Sequence, residues 1–251
     1  MNQELLLLST STLHGQTYLE YAKAAITRFM GSCRTLYFVP YAQADYKAYT
    51  ARVQQALAPS GLEVIGLDTT APLTAVGQAE ALFVGGGNSF RLLKALQEKG
   101  LLEQVRRRVK EGNLRYIGSS AGTNMACPSL RTTNDMPIVQ PRSFEAFGLL
   151  SFQINPHYLD LDPTSTHMGE TRKQRLSEFL EENEVPVLGL REGSWLRQQA
   201  GQLWLEGLTG TGARLFERGV APRELVPGTD LTWLLSVKAQ FDLPSYPAPG
   251  T

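Results

Sequence analysis

A chain of 251 residues with 42% apolar side chains can bury one large α/β core or two small ones, which excludes a disordered chain. Lys plus Arg balance Asp plus Glu at 24 each, so the formal net charge is zero and no phosphate-binding surface for nucleic acid is expected. Two cysteines, Cys33 and Cys127, are too few for a secreted disulfide scaffold and read as buried thiols.

Leu5–Leu8 reads as a buried strand. It is far short of the ~20 apolar residues of a membrane span and lacks the basic flank of a signal peptide, so a cytoplasmic protein without membrane contact is expected. A polar loop, Ser9–Thr12, follows. Tyr18–Met30 carries helical spacing. Thr35–Val39 is a strand stopped by Pro40, and Asp45–Leu57 a helix ended by Pro59 and Gly61. Leu62–Leu67 and Ala81–Val84 are strands, the latter running into Gly85-Gly86-Gly87-Asn88. Ser89–Glu98 and Leu101–Glu111 are helices, and the basic run Arg106–Arg108 reads as a solvated helix face. Leu114–Gly118 is a strand that feeds a sharp turn. Strands alternating with amphipathic helices predict βαβ crossovers and a single-domain α/β fold with a mostly parallel twisted sheet, helices on both faces. Ligands in such sheets bind beyond the carboxyl ends of the strands, here the loops after Leu8, Val39, Val84 and Gly118.

The second half is less regular. Ser151–Asn155 reads as a strand ending at Pro156-His157, Leu159–Met168 as a loop, Glu170–Glu181 as a polar helix and Val187–Leu190 as a strand. Trp195–Gln198, Gln202–Glu206, Arg214–Glu217 and Thr232–Val237 read as antiparallel hairpins. No internal repeat or linker divides the chain, and its end, Pro244–Thr251, has the Pro/Gly content of a flexible tail.

Gly118-Ser119-Ser120-Ala121-Gly122 is a G-x-S-x-G run between a strand and a helix, the setting that exposes a serine nucleophile on a tight turn. Ser120 would also sit at a helix N-terminus, where free N–H groups favour developing negative charge. A serine needs a base and an orienting group. His157, at a strand end, is the leading base over His14 and His167. Two acids compete to orient it: Asp135, in a polar turn between nucleophile and base, with a slight preference, and Glu192, after Val187–Leu190. The glycine run before Asn88 lacks a Walker lysine and the G-x-G-x-x-G spacing. It reads better as an oxyanion hole, with N–H groups of Gly87, Asn88 and Ala121 converging on a substrate carbonyl oxygen. No H-E-x-x-H or paired C-x-x-C motif is present, so a zinc hydrolase has little support, and no cofactor is expected.

Taken together, Val84–Phe90, Ser120–Asn124, Arg131–Val139, Ile154–His157 and Gly169–Arg172 resemble the peptidase E family of α-aspartyl dipeptidases, in order and spacing, over about residues 4 to 235. The resemblance implies a class I glutamine amidotransferase-like α/β fold and a metal-independent serine peptidase that cleaves dipeptides with N-terminal aspartate. It implies Ser120 as nucleophile, His157 as base, Asp135 or Glu192 as the third member, and Arg172 as partner of the substrate's aspartyl carboxylate. Partners are then small peptides, and the protein a monomer or homodimer. The chain departs from the family pattern at Ser119, where a large aromatic is expected, and its loop from His157 to Arg172 is one residue longer. Residues from about 236 onward have no counterpart, so the resemblance implies a catalytic domain over 1–235 and a Pro/Gly-containing tail over 236–251. The alternatives are a same-fold hydrolase of another acidic peptide such as cyanophycin, and a non-catalytic binding module. An α/β-hydrolase esterase would place its histidine near the C-terminus, and no histidine follows His167.

Overall fold

The computed structural model describes residues 3–160 and 169–244. His167, most of the 159–168 loop and the end of the tail lie outside them. The first half supplies β1 (Leu5–Leu8), α1 (Lys23–Met30), β2 (Thr35–Val39), α2 (Tyr46–Leu57), β3 (Glu63–Gly66), α3 (Pro72–Gln78) and β4 (Ala81–Val84). It continues with α4 (Ser89–Glu98), α5 (Leu101–Lys110), β5 (Arg115–Ser119) and α6 (Ala121–Ala126). The second half supplies β6 (Gln153–Pro156), α7 (Arg172–Glu182), β7 (Val187–Leu190), β8 (Ser194–Gln199), β9 (Gln202–Gly207), β10 (Ala213–Phe216) and β11 (Arg223–Leu225).

The strands form two sheets. Seven run in the order β3-β2-β4-β5-β1-β8-β9, and four in the order β11-β10-β7-β6. The first five of the larger sheet are parallel, and the β8–β9 hairpin closes it antiparallel. The fold is thus a single mixed α/β domain with a mostly parallel central sheet, as expected. Leu5–Leu8 shows no alternation because both sheet faces are covered. Leu6 and Leu8 pack with Ile26 of α1 and Val53 of α2, while Leu5 and Leu7 pack with Leu92 of α4 and Val105 of α5. Against the smaller sheet, α7 lays Leu176 and Leu180 on Tyr158, Val187 and Phe216.

Several expectations are corrected. The helix expected from Tyr18 begins only at Lys23, because Leu19 is left-handed (φ 59°) and the Glu20 carboxylate accepts from Thr17, leaving a single 3-10 turn between. Thr232–Val237 is no strand: Thr232–Ser236 is a 3-10 turn, started by Thr232 N–H donating to Asp230 and buried through Leu231 and Leu234, three residues apart. The short α3, opened by Pro72, and the charged edge strand β11 carry no apolar periodicity and escape sequence reading. The chain also stays attached past residue 235. Glu184 and Gln240 exchange both backbone hydrogen bonds, Leu243 N–H donates to Glu182, and Asp242 holds Arg131 through two bonds of 2.6 and 2.9 Å. No helix among the described residues is long and apolar enough to cross a membrane.

Candidate active site

The carboxyl ends of β1, β4, β5 and β6 meet around Ser120. Ser120 is the turn between β5 and α6, with φ 52° and ψ −109°, outside the regions that side chains prefer. Its N–H donates to Leu8 of the neighbouring strand and its carbonyl starts α6 by accepting from Asn124. The turn is tight enough that a Cβ on Gly122 would overlap the Val84 carbonyl oxygen. Gly122→Ala is therefore expected to destabilise the fold by about 1–3 kcal/mol or more. For a chain of this size that is a fall in Tm of roughly 2–12 °C, read by calorimetry. An unchanged Tm would show that the turn has slack.

Ser120 Oγ lies 2.8 Å from His157 Nε2, and His157 Nδ1 lies 2.6 Å from Glu192 Oε1. An ionised carboxylate only accepts, which puts the imidazole proton on Nδ1 and leaves Nε2 to accept from the serine hydroxyl. The Glu192 side chain is 42% exposed and that of His157 35%, so the pair is open to solvent. The β6–β7 register explains how residues 35 apart meet: Pro156 pairs with Leu190, so both chains leave the sheet side by side. Arg191, next to Glu192, is held by Asp160 at 2.7 Å and Glu224 at 2.9 Å, with its guanidinium 5.7 Å from the centre of the Tyr158 ring.

Asp135, the acid slightly preferred from sequence, is bonded elsewhere. Its Oδ2 accepts from the N–H of Ser89 at 2.8 Å and from the Ser89 hydroxyl at 2.6 Å. Ser89 opens α4, whose first N–H groups have no partner within the helix, and a carboxylate at that end satisfies one of them. The surrounding polar run braces the strand that carries His157. Thr132 Oγ1 donates to Ile154, Asn134 Nδ2 to Pro156, and Asn155 Nδ2 to Thr132 and Asn134, at 2.7–2.9 Å.

Of the expected oxyanion-hole donors, Asn88 is excluded. Its N–H donates to Ala42, its side-chain amide donates to Met136 and its side-chain oxygen caps Arg91. Ala121 opens α6, so its N–H has no intrahelical acceptor. Among the described residues the Gly87 N–H donates to no backbone carbonyl. Gly87 has φ 135°, and a Cβ there would come within 2.5 Å of the Ala42 oxygen, so only glycine fits. Gly86 lies directly against the Ser120 side chain.

Arg172 is the first residue of α7, behind a Thr171–Gln174 capping box. Burial, with Arg175 beside it, pulls its pKa below the ordinary guanidinium range, and Asp135 acts in the opposite direction. No carboxylate among the described residues forms a salt bridge with it. Cys33 and Cys127 are buried free thiols, and burial pushes Cys127 up to about 12, so it is inert. Ser9, in the loop after β1 that the sequence marks only as polar, is fully buried and bonded to the His157 N–H at 2.9 Å.

Comparisons with known proteins give the family. The family model described as peptidase family S51 matches residues 5–205. A protein named "Peptidase E" from Streptomyces coelicolor is 60% identical over 95% of this chain and 97% of its own length. A Drosophila melanogaster protein named "Probable alpha-aspartyl dipeptidase" is 49% identical over 93% of this chain and 98% of its own. The crystal structure of a peptidase from an acI-B1 actinobacterium shares the fold, with TM-score 0.65 and 16% identity over 92% of this chain and 97% of that one. With the family matched over most of its length, the chain is a peptidase belonging to peptidase family S51.

Proposed function

We propose that the protein is a serine dipeptidase that hydrolyses dipeptides with an N-terminal aspartate, with Ser120 as nucleophile, His157 as general base and Glu192 as the orienting acid. The observation that carries this reading is the relay from Glu192 through His157 to Ser120, two hydrogen bonds of 2.6 and 2.8 Å. As Ser120 Oγ attacks the scissile carbonyl carbon, its proton passes to His157 Nε2. The imidazolium so formed is stabilised by Glu192, and the carbonyl oxygen gathers charge beside the N–H groups of Gly87 and Ala121. His157 then returns the proton to the leaving amine as the C–N bond breaks. Water repeats the sequence on the acyl-enzyme, releasing aspartate and Ser120. No metal or cofactor takes part in these steps.

Asp135 leaves the catalytic set in this reading. It serves as the tether that joins the Asn134–Met136 turn to the start of α4. Arg172 supplies the specificity. Its half-buried guanidinium has no ion-pair partner among the described residues, and a substrate carboxylate supplies one, bidentately. The relatives' names support this assignment of substrate. A cytoplasmic location is part of the proposal, and the protein acts as a monomer or homodimer.

The reading is tested by comparing cleavage of Asp-Leu, Glu-Leu, Ala-Leu and N-acetyl-Asp-Leu, first with wild type and then with Arg172→Ala. Wild type is expected to prefer Asp-Leu. Losing one member of a desolvated charge pair removes ~2–5 kcal/mol, so Arg172→Ala should lose roughly thirtyfold to several thousandfold in kcat/KM on Asp-Leu. Arg172→Lys should recover only part of this, since the fork geometry is gone. Equal cleavage of Ala-Leu by wild type would defeat the substrate assignment, and full activity in Arg172→Ala would defeat the role of that residue.

A further inference from the structure

Ser9 follows β1 and is wholly buried. Its N–H donates to Ser194 at 3.1 Å, which fixes its place in the larger sheet. Its hydroxyl faces the smaller sheet and makes two bonds there. It accepts from the His157 N–H at 2.9 Å and donates to the Leu190 carbonyl at 2.8 Å. One side chain thus joins the ends of β1, β6 and β7, the last two being the strands from which His157 and Glu192 extend.

His157 has φ 53°, a left-handed backbone that a residue with a Cβ keeps only when its surroundings hold it there. Among the described residues, Ser9 Oγ is the only group hydrogen-bonded to the His157 main chain. The strand pairing itself does not need Ser9. The register from Gln153 to Pro156 against Val187 to Leu190 is made by backbone groups, and Tyr158 N–H also reaches Leu190, at 3.1 Å. The Ser9 hydroxyl acts on the base and on the approach to its acid, and on little else.

We propose that Ser9 is a positioning residue that holds His157 and Glu192 in reacting geometry across the junction of the two sheets, a role that rests on the serine-peptidase reading above. Removing its hydroxyl frees the His157 backbone to relax, which misplaces Nε2 relative to Ser120 Oγ. A displacement of this kind, on the order of 1 Å, lowers the rate about 100-fold. The effect falls on kcat, because Ser9 touches neither the Arg172 region nor the proposed oxyanion donors.

The test compares Ser9→Ala in wild type and in His157→Ala. In wild type, kcat on Asp-Leu should fall by about 100-fold with KM little changed. In His157→Ala the same substitution should cause no further loss, because residues that act as a unit are not additive. An aspartyl p-nitrophenyl ester, whose leaving group needs no proton from His157, should lose less than the peptide does. Ser9→Thr, which keeps the oxygen, should recover part of the loss. In the unmodified enzyme the His157 amide hydrogen should exchange as slowly as that of Ile154 in the strand it follows, a measurement that stands even if Ser9→Ala does not fold. Full turnover in Ser9→Ala, an equal further loss in His157→Ala, a raised KM with kcat intact, or rapid exchange at His157 would each overturn the role of Ser9 alone. Near wild-type turnover in His157→Ala would overturn the reading of the whole site.

Discussion

Glu192→Gln is expected to lower turnover by about 10⁴-fold while the protein stays folded. The carboxylate accepts the Nδ1 proton at 2.6 Å and so keeps Nε2 open toward Ser120. An amide turned to donate to Nδ1 would drive the proton to Nε2, and that tautomer cannot take the serine proton. Glu192 is partly exposed, so its loss leaves no buried charge to weaken the fold. Asp135→Asn is the control. Asn can still accept from Ser89, so the variant should lose about 1–2 kcal/mol of stability at most and far less turnover than Glu192→Gln. Both are read as kcat/KM on Asp-Leu beside Tm. If Asp135→Asn is the crippled variant, the pairing of His157 with Glu192 does not describe the working enzyme.

Ser120→Ala should lose about 10³-fold or more in turnover. Among the described residues its hydroxyl has one partner, His157, while its backbone bonds to Leu8 and Asn124 are kept by alanine. The fold should therefore survive, and circular dichroism and Tm should match wild type. Adding His157→Ala should cost little more, since nucleophile and base work as one device. Multiplicative losses, or substantial activity in Ser120→Ala, would point to a different nucleophile.

The parallel half of the fold was legible because burial on both faces writes strands as unbroken apolar runs, as in Leu5–Leu8 and Ala81–Val84. The turn that carries Ser120, the proposed nucleophile, was legible because it demands glycines at fixed offsets, and Gly122 indeed abuts Val84. The meeting of His157, the proposed base, with Ser120 was legible from its place at a strand end. The choice of acid was not. It depends on the parallel register of β6 with β7, which brings residues far apart in the chain together, and no local pattern encodes that register. Asp135 misled because a polar turn between nucleophile and base looks alike whether its carboxylate orients an imidazole or ties down a helix start. Asn88 misled because a glycine-rich loop shows its N–H groups but not their acceptors, here Ala42. The separate smaller sheet and the bonded stretch at Gln240–Leu243 share the same cause: both rest on long-range backbone pairing.

The most direct test is to trap the acyl-enzyme. Wild type would be mixed with an aspartyl p-nitrophenyl ester, quenched in acid within milliseconds, digested and mapped by mass spectrometry. The expected result is one aspartyl group on the peptide that contains Ser120, with a burst of p-nitrophenol equal to the enzyme present, and neither in Ser120→Ala. An aspartyl group on another residue, or equal turnover by Ser120→Ala, would contradict covalent catalysis at Ser120.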